Sequence, residues 1–356
     1  MANYRVSKEI LLDIAEFCDR KTLLNLMQTN KDIHSLISDY QHSISAGKLK
    51  LFPLPPLGRL VTSTDKQRWV IPEKNSLVTI QEFEMRERRI TSLLDRSGFL
   101  LTDRRESLGF TSESFDKFKA GLNLAMHMAD RLCDVAADPE VSEARAAFLM
   151  QLTPLRLHHN DSDSDEATAA LRNAEVQGLI RYTKTLRAKQ TKILHDLSTI
   201  DLAFLLHLSE GAMLGWRRYM ARCVNSDPRF WDKVKAFGEL VLREGSFMLW
   251  AFVRGTGNIR DFAKTAVSVV ADQVWQYIAG VELTDGGLAV ALHEELKQRL
   301  HDEMWAADPC FNVSELDGPM TVQLWAYGLV AVEIGCKDWN GYNSRVASLA
   351  LAQSLE

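Results

Sequence analysis

The sequence predicts a mainly α-helical protein: a small N-terminal three-helix module, then a larger, irregular α-helical domain. Three observations carry this. Apolar residues recur at helical spacing through most of the chain from Thr111 onward. Ser7, Asp19 and Asn30, all good helix-capping types, each precede a short apolar-periodic stretch. Pro53, Pro55 and Pro56 then deny the chain helical continuation and favour extended backbone.

The first helix starts after Ser7 and ends near Phe17 or Cys18. Asp19 caps a second helix holding Leu23, Leu24, Leu26 and Met27. Asn30 caps a third holding Ile33, Leu36, Ile37, Tyr40 and Ile44. At roughly 100° per residue, the apolar residues of the third helix form a stripe of about 100°, as for a helix packed on one side. In the first helix, Ile10, Leu11, Leu12, Ile14, Ala15, Phe17 and Cys18 spread over about 220°. Such a helix needs neighbours on two sides, and two short partners cover only one.

The expected domains are a module at 1–52, a proline-containing linker and mixed segment at 53–110, and a helical domain at 111–356. Within 53–110, "RWVIPEKNSLVTI" holds the only candidate short strands, and "QEFEMRERRITSLL" reads as a charged amphipathic helix. Downstream, Phe115, Phe118, Leu122, Met126, Ala129 and Cys133 share one helical face. Asp138-Pro139 and Asp227-Pro228 read as helix starts. Phe230, Val234, Phe237, Val241 and Phe247 recur at helical spacing, and "DFAKTAVSVVADQVWQYIAG" and "LAVALHEELKQRLHDEMW" give two further helices. Residues 157–168 form an acidic, flexible loop with no apolar period.

Charge and cysteine content narrow the function classes. Forty-two basic residues against 47 acidic ones leave a formal net charge of −5, which argues against a nucleic-acid partner. Five dispersed cysteines form no C-x-x-C pair, so neither a disulfide framework nor a zinc ribbon is indicated, and an intracellular setting in cytoplasm or nucleus fits. The N-terminal stretch is too charged for a secretory signal. "PMTVQLWAYGLVAVEIGC" carries Gln323 and Glu333 and reads as a buried helix, so no membrane span is expected.

Catalytic and metal motifs fail on inspection. His293 and His301 are two turns apart on one helix, whereas a zincin needs histidines four apart, and Lys297 occupies that position. "DSDSDE" starts like a calcium loop at Asp161, but Glu166 replaces the turn glycine and Arg172 the closing carboxylate. "RGTGN" has Arg260 where a dinucleotide fingerprint needs its third glycine, so it reads as a helix-ending turn. No cofactor and no metal site is expected, and no catalytic residue. Trp216, Trp231, Trp250, Trp275, Trp305, Trp325 and Trp339 are expected in the core; any that are exposed together would mark a binding surface. Arg217, Arg218 and Arg222 in "GWRRYMAR" read as a solvated flank that an acidic partner would suit.

The N-terminal stretch resembles an F-box. The residues that carry the resemblance are Val6, Ser7, Glu9, Ile10, Leu11 and Ile14, then Leu23, Leu24 and Leu26, then Asn30, Lys31, Ile33, Leu36 and Ile37. Ser7 stands where the motif usually has proline, and Thr29 where it usually has an apolar residue. The stretch "FWDKVKAFGELVLREGSFMLWAFVRG" is similar to the helical remainder of F-box proteins of filamentous fungi. The resemblance implies a non-catalytic substrate-recognition subunit of a ubiquitin ligase. Its N-terminal helices would bind the Skp-type adaptor of a cullin–RING ligase, and its helical domain an unknown target protein. Adaptor contacts are expected from Val6, Ser7, Glu9, Ile10, Leu11, Ile14, Phe17, Leu23, Leu26, Asn30, Lys31, Ile33, Leu36 and Ile37, with Ile10, Leu11, Ile14 and Phe17 as anchors. The competing expectations are a helical small-molecule binder or enzyme, and an interaction scaffold outside any ligase.

Overall fold

The computed structural model describes residues 7–57, 62, 75–96, 110–144, 182–220, 228–278, 287–307 and 319–336. The architecture is mainly α, and no strand occurs among the described residues. The chain divides into two compact units, Met1–Arg88 and Arg89–Glu356.

The first unit holds α1 (Lys8–Phe17), α2 (Arg20–Thr29), α3 (Lys31–Asp39), α4 (Gln41–Leu49) and the first half of α5 (Leu77–Arg96). The expected third helix is two. It breaks at Tyr40 (φ −103°, ψ 8°), after the weak helix formers Ser38 and Asp39. Ile44 therefore sits on α4, yet it still reaches the core, where it is 1% exposed. The strand expectation also fails over residues 77–80. Leu77–Ile80 form the first turn of α5, while residues 68–74 lie outside the described residues. Val78, Thr79 and Ile80 suit a strand by type, but Ser76 Oγ accepts from the Thr79 amide at 3.1 Å and starts a helix. Leu77, Ile80 and Phe83 then form an inward stripe that joins Ala15, Leu23, Ile37, Ile44 and Leu49 in one core. The expected module at 1–52 thus shares its core with residues beyond the proline segment. Four short helices alone bury too little.

The second unit contains α6 (Ser112–Asp134), a 3-10 turn (Val135–Ala137), helical residues 139–144, and α7 at 182–196. Then follow α8 (Thr199–Tyr219), α9 (Phe230–Glu244), α10 (Ser246–Val253), α11 (Asn258–Ile278), α12 (Leu288–Ala307) and α13 (Pro319–Glu333). Central α8 packs against α6, α9, α12 and α13 and is buried nearly all round from Leu202 to Ser209. Trp216, Phe237 and Phe252 meet at ring-centroid distances of 4.4 to 5.1 Å. Two buried carboxylates start helices. Asp130 accepts from the amide and hydroxyl of Ser246 at 2.7 and 2.8 Å. Glu239 accepts from the amides of Leu288 and Ala289, both at 2.7 Å, and pairs with Arg187.

Asp138 caps as expected, accepting from the Glu140 amide at 3.0 Å. The expected start at Asp227-Pro228 is corrected: α9 begins at Phe230 with Arg229 as an N-cap that makes no side-chain cap bond, and Asp227 lies outside the described residues. The helical run from Phe230 to Phe247 is interrupted at Gly245, whose φ of +66° suits glycine. The acidic loop at 157–168 lies outside the described residues.

Candidate docking surface

The first unit presents an apolar face on α1. Ser7 Oγ accepts from the Ile10 amide at 3.3 Å, so serine starts this helix in the place of the motif's usual proline. Asp19 Oδ1 accepts from the Thr22 amide at 2.6 Å, and that bond holds its carboxyl below the usual range. Asn30 Oδ1 accepts from the Asp32 amide at 2.7 Å. All three predicted caps are made.

These caps set the chain entering each helix, and burial then sets which way α1 faces. Ala15 is fully buried, and Leu12 and Cys18 pack against the same core. That rotation leaves Ile10 52%, Ile14 44% and Phe17 90% exposed. Their spacing of four and three residues puts them on one stripe. Leu11 is half-buried, while Glu9, Asp13 and Glu16 are exposed. The wide apolar arc read from the sequence therefore has its two sides, one packed on the core and one facing solvent.

The remaining predicted contacts separate by depth. Ser7, Glu9, Asn30 and Lys31 are exposed, and Leu26 and Ile33 are half-buried against the core. Leu23, Leu36 and Ile37 are buried in the unit itself. They support the surface from beneath and do not form it. Val6 lies outside the described residues. Thr29 turns its hydroxyl to the Leu26 carbonyl at 2.7 Å, which ends α2.

One residue of this region was missed from the sequence. Lys48 of α4 is buried, and its Nζ donates to the Glu16 carbonyl at 2.8 Å and to the Cys18 carbonyl. Burial lowers its pKa from the usual lysine value, opposed by Cys18, Asp19 and Glu16. A cation on the last carbonyls of α1 offsets the negative end of that helix and fixes where Phe17 stands. The available signal was spacing: Lys48 follows Ile44 by four residues and so shares its inward face.

The second unit holds a partly buried polar cluster that was also missed. Tyr327 of α13 donates its hydroxyl to Glu210 of α8, and Gln323 donates to the Tyr327 hydroxyl at 3.4 Å. His207, one turn before Glu210, stands edge-on to Phe118 at 5.2 Å and to Tyr327 at 5.0 Å. Burial pushes the Glu210 carboxyl up to about 7 and the His207 imidazole down to about 4. A lone histidine inside "FLLHL" was the sequence signal.

The tryptophan expectation is corrected in part. Trp216 is buried, but Trp231 and Trp305 are about half exposed, because each faces outward at the solvent side of its helix; Trp250 and Trp325 are intermediate. The Trp275 side chain and Trp339 lie outside the described residues. "RGTGN" is the turn between α10 and α11, with Gly257 at φ +52°. His301 stacks on Trp305, at 6.1 Å between centroids. Among the described residues no three His, Cys, Asp or Glu side chains are grouped to hold a metal ion, and no helix is long and apolar enough to cross a membrane. The chain matches no protein-family model, no curated protein and no solved structure.

Proposed function

We propose that this chain is the target-holding, non-catalytic subunit of a Skp–cullin–F-box type ubiquitin ligase, acting in the cytoplasm or nucleus. The observation that carries the reading is the exposed Ile10, Ile14 and Phe17 stripe on a capped helix whose other side is packed. Ile10 and Ile14 are among the residues on which the F-box resemblance rests. Covering this stripe would gain about 25 cal/mol for each apolar Å2 removed from water, offset by the costs of association. The helical unit would then hold a target near the charged conjugating enzyme and raise its effective concentration.

Recovery of a purified Skp-type adaptor by the full chain tests the reading. The parent should retain it, while Ile10→Asp and Phe17→Asp should each cut recovery by about tenfold or more, since each buries a charge in the interface. Both sites are exposed, so both variants should fold like the parent. Equal recovery by all three, or recovery by none, rejects the proposal.

A further inference from the structure

The exposed face of α1 carries charge along one edge only. Glu9, Asp13 and Glu16 each precede one residue of the Ile10, Ile14 and Phe17 stripe, so at about 100° per residue they form a parallel row beside it. All three acids are exposed. On the other edge of the stripe, Leu11 and Cys18 are half-buried and lead back to the core. Lys8 is the one basic residue of α1, and it falls about 150° away from the stripe. Helix stability accounts for only the first of the acids. Glu9 lies in the first turn, where hydrogen bonds from its own amide and from the Ser7 side chain hold its carboxyl below the usual range. Asp13 is in the middle of the helix. Glu16 is in the last turn, where the negative end of the helix disfavours an acid and α1 has no basic residue. Lys48 reaches that end, but its ammonium is taken up by the Glu16 and Cys18 carbonyls. Neither Asp13 nor Glu16 forms an ion pair among the described residues, whereas Glu84 in the same unit pairs with Arg20. The row is thus charge that the unit itself does not use.

We infer that the partner surface meeting α1 is a protein groove, apolar where it receives Ile10, Ile14 and Phe17 and bordered by lysine or arginine on the side of Asp13 and Glu16. The two acids stand one turn apart, about 4.5 Å along the helix axis, and the facing cations would match that spacing. Sign selects the occupant. The same carboxylates repel a nucleic acid or an anionic membrane surface, and the net charge of −5 acts in the same direction at longer range. An apolar stripe with an acidic edge suits a protein groove with a basic one, in which the stripe supplies the buried contact and the edge sets orientation and rate of encounter. The inference rests on the reading of α1 as the adaptor-binding face, and it adds the chemistry of the adaptor's groove.

Binding kinetics of the full chain with a purified Skp-type adaptor, at low and at high salt, test it. Association of the parent should slow as salt is added. Asp13→Lys combined with Glu16→Lys should lower affinity by about tenfold and remove most of that salt dependence, while Asp13→Asn combined with Glu16→Gln should fall in between. Both positions are exposed, and the neutral pair is read alone should the reversed pair not fold. Two labelled helical peptides give a readout independent of the adaptor. They share one leucine face and differ only in carrying lysine or glutamate along its edge. The parent should prefer the lysine peptide, Phe17→Ala should weaken that binding by about tenfold, and the reversed pair should prefer the glutamate peptide. Equal binding of the two peptides by the parent, or adaptor and peptide affinities that are unchanged in both charge variants, overturns the inference. The two proposals fail separately. An exchange of peptide preference without adaptor binding by the parent rejects the ligase reading alone; adaptor binding that Phe17→Asp abolishes and the charge variants leave unchanged rejects the basic groove alone.

Discussion

Glu210 and His207 predict a cancellation that single substitutions should expose. The Glu210 carboxyl rises from 4.5 to about 7 in the fold, so the native state holds its proton where the unfolded chain has lost it. Its contribution to stability is fully present below pH 4.5 and is lost as pH rises to about 7. His207 falls from 6.5 to about 4, so the unfolded chain takes up a proton that the native state refuses. Its contribution is present above pH 6.5 and is lost as pH falls toward 4. At 1.36 kcal/mol per pKa unit, each shift of roughly 2.5 units is worth about 3 kcal/mol. Between pH 4.5 and 6.5 the two slopes are equal and opposite, so the pair contributes almost no pH dependence there. Glu210→Gln removes the falling limb. Relative to the parent, its stability should rise by about 3 kcal/mol from pH 4.5 to 7. His207→Gln should show the reverse, losing about 3 kcal/mol relative to the parent from pH 4 to 6.5. Urea unfolding followed by tryptophan fluorescence reports this, since Trp216 sits in the core of the same unit. Two variants whose pH profiles run parallel to the parent's would refute the reasoning, because both groups would then titrate as they do in water.

The other buried polar contacts give sharper local tests. Lys48→Met keeps the stem and removes both carbonyl bonds to α1; amide exchange in Lys8–Phe17 should speed by about tenfold while that of the helical unit is unchanged. Glu239→Ala strips the start of α12 and leaves Arg187 without its ion pair, so thermal unfolding should show a loss of about 3 to 5 kcal/mol. Gly245→Ala sets a Cβ against the Asp130 carboxylate at φ +66° and should cost at least about 2 kcal/mol, measured by the same scan. Asp19→Ala removes the cap of α2 and should lower the midpoint of the urea titration.

What the sequence disclosed and what it concealed divide by distance along the chain. The caps at Ser7, Asp19, Asn30 and Asp138 were legible because each bond spans two or three residues, and residue type alone determines whether it can form. The all-helical class was legible for the same reason, as a sum of local periodicities. Over residues 77–80 the strand expectation failed where local signals conflicted. Val78, Thr79 and Ile80 are β-formers by type, but the Ser76 cap and the inward stripe of Leu77, Ile80 and Phe83, which joins the core of Ala15 and Leu23 far back in the chain, make them helix.

The chemistry of the interior lay beyond such reading. Glu210 meets Tyr327 across 117 residues, Asp130 meets Ser246 across 116, and Glu239 meets Leu288 across 49. No spacing rule links such pairs, and each residue alone resembles any other solvated acid. The α1 surface is the intermediate case. An apolar arc of about 220° on a short helix states that two neighbours are needed, which is a local fact. Which half the fold itself covers depends on α3 and α4, against which α1 packs with Ala15 buried and Phe17 left out. The same asymmetry is what gives Phe17→Asp its meaning. A charge placed at a position 90% exposed disturbs nothing inside the unit, so any loss of adaptor recovery must come from a second polypeptide.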